Sequence, residues 1–233
     1  MSPDNELDSA EKKSLILKIV IRFSLLPLFF GVLVLIPAGT FDYWQLYLYL
    51  AVLMCPMIFV LIYFVRKDPR FLDRRMRTKE KEKEQKIIVF ITSILYLTGF
   101  LIPGFDRRFG WSEIPAIIVL IADLLVFLSY LLIFFVFKEN SFASRIIEID
   151  ENQTVISKGP YSIVRHPMYS GMIVMWLATP LALGSYWAFI PFSFIPFIMI
   201  FRALNEEKIL SDQLPGYSDY CKKVRYRLIP FIW

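Results

Sequence analysis

The sequence predicts an all-α, polytopic integral membrane protein with about six transmembrane helices. The last two fold as a C-terminal helical hairpin, with a cofactor pocket at the cytoplasmic face. Three observations lead there. First, 57% of the 233 residues are hydrophobic, and they come in long runs rather than in helical or strand alternation, so the solvent is lipid. Second, Met168–Phe201 holds 34 residues without a charged side chain; one straight helix of that length would span ~51 Å, far beyond a ~30 Å hydrocarbon core. A break at Leu183-Gly184-Ser185-Tyr186, flanked by Pro180 and Pro191, divides the run into two short apolar helices. Third, polar motifs flank the run, Gly159–Tyr169 (G-P-Y-S-I-V-R-H-P-M-Y) and Arg202–Leu210 (R-A-L-N-E-E-K-I-L). A hairpin returns both to one membrane face.

The elements follow in order. Met1–Lys13 is polar, and Met1–Glu11 is acidic with no basic n-region, so no cleavable signal peptide is expected. Leu15–Ile36 is the first span, with Lys12, Lys13, Lys18 and Arg22 at its near end. Pro37–Phe41 turns the chain, and Tyr43–Val65 forms the second span, aromatic at both ends as interfacial belts are. Arg66–Lys86 carries ten Lys/Arg against five Asp/Glu. Pairs such as Lys79/Lys83 and Glu80/Glu84 fit a solvated helix, with lipid-headgroup contact as the alternative.

Ile87–Pro103 is the third span. In the loop Gly104–Ile114, Ser112 is placed to cap the next helix, with Glu113 and Pro115 in its first turn. Pro115–Phe137 is the fourth span, interrupted by Asp123 about 12 Å along the helix from Pro115. An ionisable group at that depth is costly, and a hydrogen bond to Thr92 or Ser93 of the third span is its expected use. Every Lys and Arg except Arg107 and Arg108 then falls on one side. The positive-inside rule makes that side cytoplasmic, with both termini and both polar motifs on it, in a cell-membrane protein. Residues 1–137 form an N-terminal bundle of four spans, and 138–233 form a second region of loop, hairpin and tail.

The net charge of +5 is segregated into loops and forms no nucleic-acid face. Cys55 lies in a span and Cys221 in the tail, so there is no disulfide framework. With His166 as the single histidine, no metal site is expected. No obligate protein partner is evident.

The polar face contains no Gly-rich phosphate loop, Ser-His-Asp set or Cys-His pair. It contains Tyr161, Arg165, His166, Tyr169, Arg202, Glu206 and Glu207. Arginine offers a fork to a carboxylate. Glutamate accepts from an ammonium or a ribose hydroxyl, tyrosine offers a ring to a cation, and histidine a directional nitrogen to a purine. S-adenosylmethionine combines all four features. A plainer reading stands beside this one. Arg202 and Glu206 are an i, i+4 helix pair, and His166-Pro167 is a loop end. Chemistry alone leaves both open.

Four stretches carry a resemblance: E-N-S-F-A-S-R-I-I-E-I; V-I-S-K-G-P-Y-S-I-V-R-H-P-M-Y-S-G; R-x-x-x-E-E-x-x-L; and Y-x-x-Y near the end. Over Lys138–Trp233 the chain resembles the isoprenylcysteine carboxyl methyltransferases, membrane enzymes related here to phospholipid N-methyltransferases. The segments Asp68–Arg77 and Gly104–Ser112 are similar to the prokaryotic branch. The resemblance implies an S-adenosylmethionine-dependent methyltransferase whose cofactor is enclosed by Arg165, His166, Tyr169, Glu206 and Glu207, with Tyr161 and Arg202 beside them. Arg165 and Glu207 are the expected catalytic pair. The acceptor is expected to be a lipid-like or prenylated small molecule drawn from among the membrane lipids. Carboxylate O-methylation needs no general base, whereas amine N-methylation requires Glu206, Glu207 or His166 to take a proton.

The ending Tyr220–Trp233 also resembles the C-terminus of sterol reductases, which share R-H-P-x-Y and bind NADPH but are longer and lack R-x-x-x-E-E. An NADPH-dependent reductase and a non-enzymatic membrane scaffold are the rival readings. Met172, Met175 and Trp176 follow Tyr169 on nearly one helix face, as an acceptor surface or as ordinary packing.

Overall fold

The computed structural model describes residues 9–76, 83–144 and 153–233. The expectations placed on Met1–Asp8, on the Lys79/Lys83 and Glu80/Glu84 pairs, and on Arg145–Ile149 lie outside the described residues. Among the described residues the fold is all-helical, without strands. Five helical segments are long and apolar enough to cross a membrane. They are α1 (Ser9–Ala38), α2 (Trp44–Lys67), α4 (Lys83–Phe109), α5 (Ala116–Glu139) and the combined stretch Phe189–Gln213, which contains α7 (Phe189–Phe192) and α8 (Ile195–Gln213).

The expected sixth, α6 (Pro167–Ala182), has 16 residues. At about 24 Å it falls short of a ~30 Å core. Its ends explain its length. A residue before proline avoids helix, which keeps His166 outside, and Gly184 at φ +73° turns the chain after Leu183. The hairpin itself forms where the sequence places it, with α6 descending and α7–α8 returning.

α5 and α6 pack most closely. Gly171 makes this possible, because a Cβ there would stand 3.2 Å from the Ser129 carbonyl and 3.1 Å from Ile133. α1 lies on α4 in the same manner, with Gly104 against the Val34 carbonyl. Trp176 stacks on Phe192 at 5.9 Å and packs on Tyr96 at 4.5 Å, and Met175 is buried in the same core. These residues do packing work.

Four expectations need correction. The third span does not end at Pro103; α4 continues through it to Phe109. That extension carries Asp106 beneath the α6–α7 turn. There Ser112 donates to Asp106 Oδ2 at 2.6 Å, so its hydroxyl serves a buried carboxylate instead of capping α5, whose N-cap position is Pro115. The charged stretch after α2 is not uniformly solvated. α3 (Pro69–Met76) buries Phe71 against Phe64 at 4.3 Å and Phe137 at 5.1 Å. Arg74 and Arg75 on α3 donate to the Ser141 and Ser144 carbonyls. Asp123 is buried, but neither oxygen has a hydrogen-bond partner. Thr92 and Ser93 donate to the Ile88 and Val89 carbonyls of their own helix, as β-hydroxyls on helices do.

Candidate active site

The cleft is assembled at the open end of the hairpin. The chain passes through a 3-10 turn at Gly159–Ser162 and reaches Pro167 extended, so the N–H groups of Arg165 and His166 are not taken into α6. They donate instead to the carbonyls of Tyr226 and Arg227, each at 2.9 Å. α8 runs unbroken from its apolar part into Arg202–Glu207. Neighbouring helical residues diverge by roughly 100°. Glu206 therefore faces the cleft, and Glu207 faces the tail behind it.

Glu207 is the buried hub. Its Oε1 forms an ion pair with Arg165 Nη1 at 3.1 Å and accepts from His166 Nε2 at 3.1 Å, and its Oε2 accepts from Arg227 Nε at 2.9 Å. A carboxylate only accepts, so the His166 proton sits on Nε2. The opposite nitrogen, Nδ1, lies 3.8 Å from Glu206 Oε2. Two guanidinium groups compensate one buried carboxylate, which makes such burial tolerable. Tyr169 donates to Glu206 Oε2 at 2.7 Å and accepts from Arg202 Nε at 3.2 Å. Its ring stacks on His166 at 5.6 Å.

In front of this hub lies a half-open cleft. Tyr161, Arg165, His166, Tyr169 and Glu206 line it, joined by Asn140, Tyr217 and Tyr220. Arg202 and Glu207 do not line it; they brace Tyr169, Arg165 and His166 from behind. Two buried polar atoms at the cleft have no hydrogen-bond partner, Arg165 Nε and the Tyr217 hydroxyl. Burial, then the nearby Glu207 charge, raises the Tyr217 phenol far above its ordinary value, so the group is a neutral donor. Burial likewise pushes the Tyr161 phenol up to about 12. Tyr161 accepts from Asn140 Nδ2 at 2.9 Å, and Tyr220 donates to the Tyr161 carbonyl at 2.7 Å.

Four of these residues were not among the expected site residues. Tyr217 and Tyr220 belong to the Y-x-x-Y signal on the short helix α9 (Tyr217–Lys223). Asn140, the C-cap residue of α5, lies in the E-N-S-F-A-S-R stretch, and Arg227 lies in the Tyr220–Trp233 ending, whose path to the cleft only the fold determines. Chemically, the cleft offers one carboxylate, one arginine with a spare N–H, a neutral phenol donor and several rings. That set fits S-adenosylmethionine, because Arg165 Nε and the Tyr217 hydroxyl lack the acceptors that its carboxylate or ribose oxygens would supply.

Residues 117–215 match the family model described as phospholipid methyltransferase. A Delta(14)-sterol reductase of Mus musculus is 30% identical over 83 residues, which is 34% of this chain and 20% of that protein. The chain therefore aligns with only about one fifth of that relative's length. The family match begins in α5, takes in both polar motifs, and ends before Tyr217 and Arg227. The stretch that builds the cleft carries the likeness to membrane methyltransferases.

Proposed function

We propose that the chain is an S-adenosylmethionine-dependent membrane methyltransferase acting on a small lipid-like acceptor, with carboxylate O-methylation as the reaction. One observation carries this reading: the segment matched to phospholipid methyltransferases lines a cleft in which Arg165 Nε and the Tyr217 hydroxyl are unpartnered beside Glu206. When bound, the cofactor supplies an electrophilic methyl carbon on a sulfonium centre. Arg165 and the Tyr217 hydroxyl hold carboxylate or ribose oxygens, and Glu206 holds an ammonium or hydroxyl. The rings of Tyr161 and Tyr169 face positive charge. His166 presents Nδ1 toward the cleft, its other nitrogen being held by Glu207. Arg165 is the residue that touches ligand, and Glu207 is a positioning residue that fixes Arg165 and His166.

An ionised carboxylate acceptor needs only alignment with the methyl carbon. An amine acceptor needs a base, and Glu206 is the carboxylate at hand. The family description favours that second reading, phospholipid N-methylation. The sterol-reductase similarity favours a third, NADPH-dependent reduction. In the proposed arrangement residues 138–233 form the catalytic region, α6 completes a six-pass bundle as its short member, and the cleft opens to the cytoplasm of a cell membrane. The polar cofactor arrives from that side, and the acceptor arrives from the bilayer between helices.

Incubating membranes that contain the protein with methyl-labelled S-adenosylmethionine tests the reading. Label extracted into chloroform and released by mild alkali is the expected result for an ester. Alkali-stable lipid label would establish N-methylation. No transfer above membranes lacking the protein would end the methyltransferase reading.

A further inference from the structure

An apolar surface stands outside the spans, next to the cleft. In the tail Val224–Trp233, the Leu228 and Ile229 N–H groups both donate to the Trp233 carbonyl, at 3.0 and 3.1 Å. Phe231 takes φ +65°, a left-handed conformation that bulky residues seldom adopt. The resulting turn leaves Ile229, Phe231 and Ile232 49%, 86% and 77% exposed. It is tied to α6 by a bond from Ser170 Oγ to the Leu228 carbonyl at 2.6 Å. Ser170 lies in the first turn of α6, where the apolar run of the hairpin begins. The exposed turn therefore stands at the edge of the apolar slab. Exposed Lys223 and Arg225 precede it, and Arg227 lies over the Trp233 ring at 5.0 Å. An apolar tip, an aromatic ring and a basic flank at one depth are the features of an interfacial anchor.

We propose that Leu228–Trp233 is a membrane-seating loop. Ile229, Phe231 and Ile232 insert at the headgroup–acyl boundary of the leaflet on the cleft side, and Lys223 and Arg225 meet its anionic headgroups. This rests on the chain being membrane-embedded and is independent of which cofactor the cleft takes. The seating reaches the cleft through the same tail. Arg227 pairs with Glu207, and the Tyr226 and Arg227 carbonyls hold the Arg165 and His166 N–H groups. A seated loop fixes these partners, and an unseated one loosens them.

The test uses the full chain with Cys55→Ser and Cys221→Ser, carrying Ile232→Cys labelled with an environment-sensitive fluorophore. The protein is reconstituted in phosphatidylcholine vesicles with or without phosphatidylglycerol. Seating predicts blue-shifted emission, quenched at least twofold by nitroxide lipids labelled near the headgroup, and more strongly with phosphatidylglycerol. The same label at Ser218→Cys on α9 should read as water. Water-like emission at Ile232→Cys would overturn the proposal. So would a blue shift that lipid nitroxides leave unquenched, since that indicates a protein partner or second copy. Coupling to the cleft has its own readout, because His166 is the only histidine. Phe231→Ser with Ile232→Ser should shift the His166 ring nitrogen signals in vesicles, and unchanged signals would overturn the coupling.

Discussion

At the turn end of the α6–α8 hairpin, Asp106 is buried and accepts from the Ser112 and Ser185 hydroxyls, while Tyr43 donates to the Leu183 carbonyl at 2.6 Å. At the open end, Glu207 is buried, forms an ion pair with Arg165 and accepts from His166 and Arg227. Both ends bury a carboxylate, but they satisfy it differently. The turn end uses short neutral hydroxyls close to the backbone, and both serines spend their donors there. It behaves as a staple joining α4 to the hairpin. The open end uses long cationic side chains, and it leaves Arg165 Nε and the Tyr217 hydroxyl with nothing to bond. Buried donors without partners cost stability. The proposed ligand site lies at this open end.

Substitutions at the two ends should separate structural from ligand roles. The largest effect is expected from Glu207→Ala, which strands the buried Arg165 guanidinium; breaking such a pair costs roughly 3–5 kcal/mol. A large drop in apparent melting temperature in detergent, together with lost ligand binding, is the expected result. Asp106→Ala should cost roughly 2–3 kcal/mol by leaving two serine hydroxyls without their acceptor. Ligand affinity should be unchanged, and a loss of affinity matching the Glu207 variant would erase the distinction between the ends. Tyr217→Phe removes a hydroxyl that has no internal partner, so stability should hold or rise. S-adenosylhomocysteine affinity should fall about fivefold, the equivalent of roughly 1 kcal/mol. Equal affinity would show that the orphaned hydroxyl is not a ligand contact.

Topology sharpens the same comparison without altering either network. In a background lacking Cys55 and Cys221, Glu113→Cys and Ser218→Cys should react with impermeant reagents from opposite sides of the membrane. Labelling from one side would break the hairpin geometry.

The hairpin was legible because its signal is arithmetic: an uncharged run too long for one crossing, broken by Gly184, with charged motifs at both ends. The hairpin brings His166 to the same face as Glu206 and Glu207, and the structure selects Glu207 as its hydrogen-bond partner. Ser112 was misread because its local context, a serine before Glu113 and Pro115, is a cap signature. The winning partner, Asp106, comes within reach only once α4 continues past Pro103. A proline removes one helix bond, here to the Gly99 carbonyl, and a membrane helix can continue past it. Both Glu206 and Glu207 were expected at the cofactor, with Glu207 in the catalytic pair; a rotation of one residue on α8 sends Glu206 to the cleft and Glu207 behind it. Arg227 and Asn140 lie in stretches that carry the resemblances, but their place at the site depends on how the tail and the end of α5 meet.

The central claim is that the open end is a cofactor cleft and that its cofactor is S-adenosylmethionine. Parallel calorimetric titrations of the detergent-purified protein with S-adenosylhomocysteine and with NADPH test it most directly. Saturable, one-to-one binding of S-adenosylhomocysteine, lost in Glu207→Ala and weakened in Tyr217→Phe, with no heat from NADPH, is the result expected. Binding of NADPH alone would move the cleft to a reductase, and saturation by neither ligand would leave the polar cluster a structural brace.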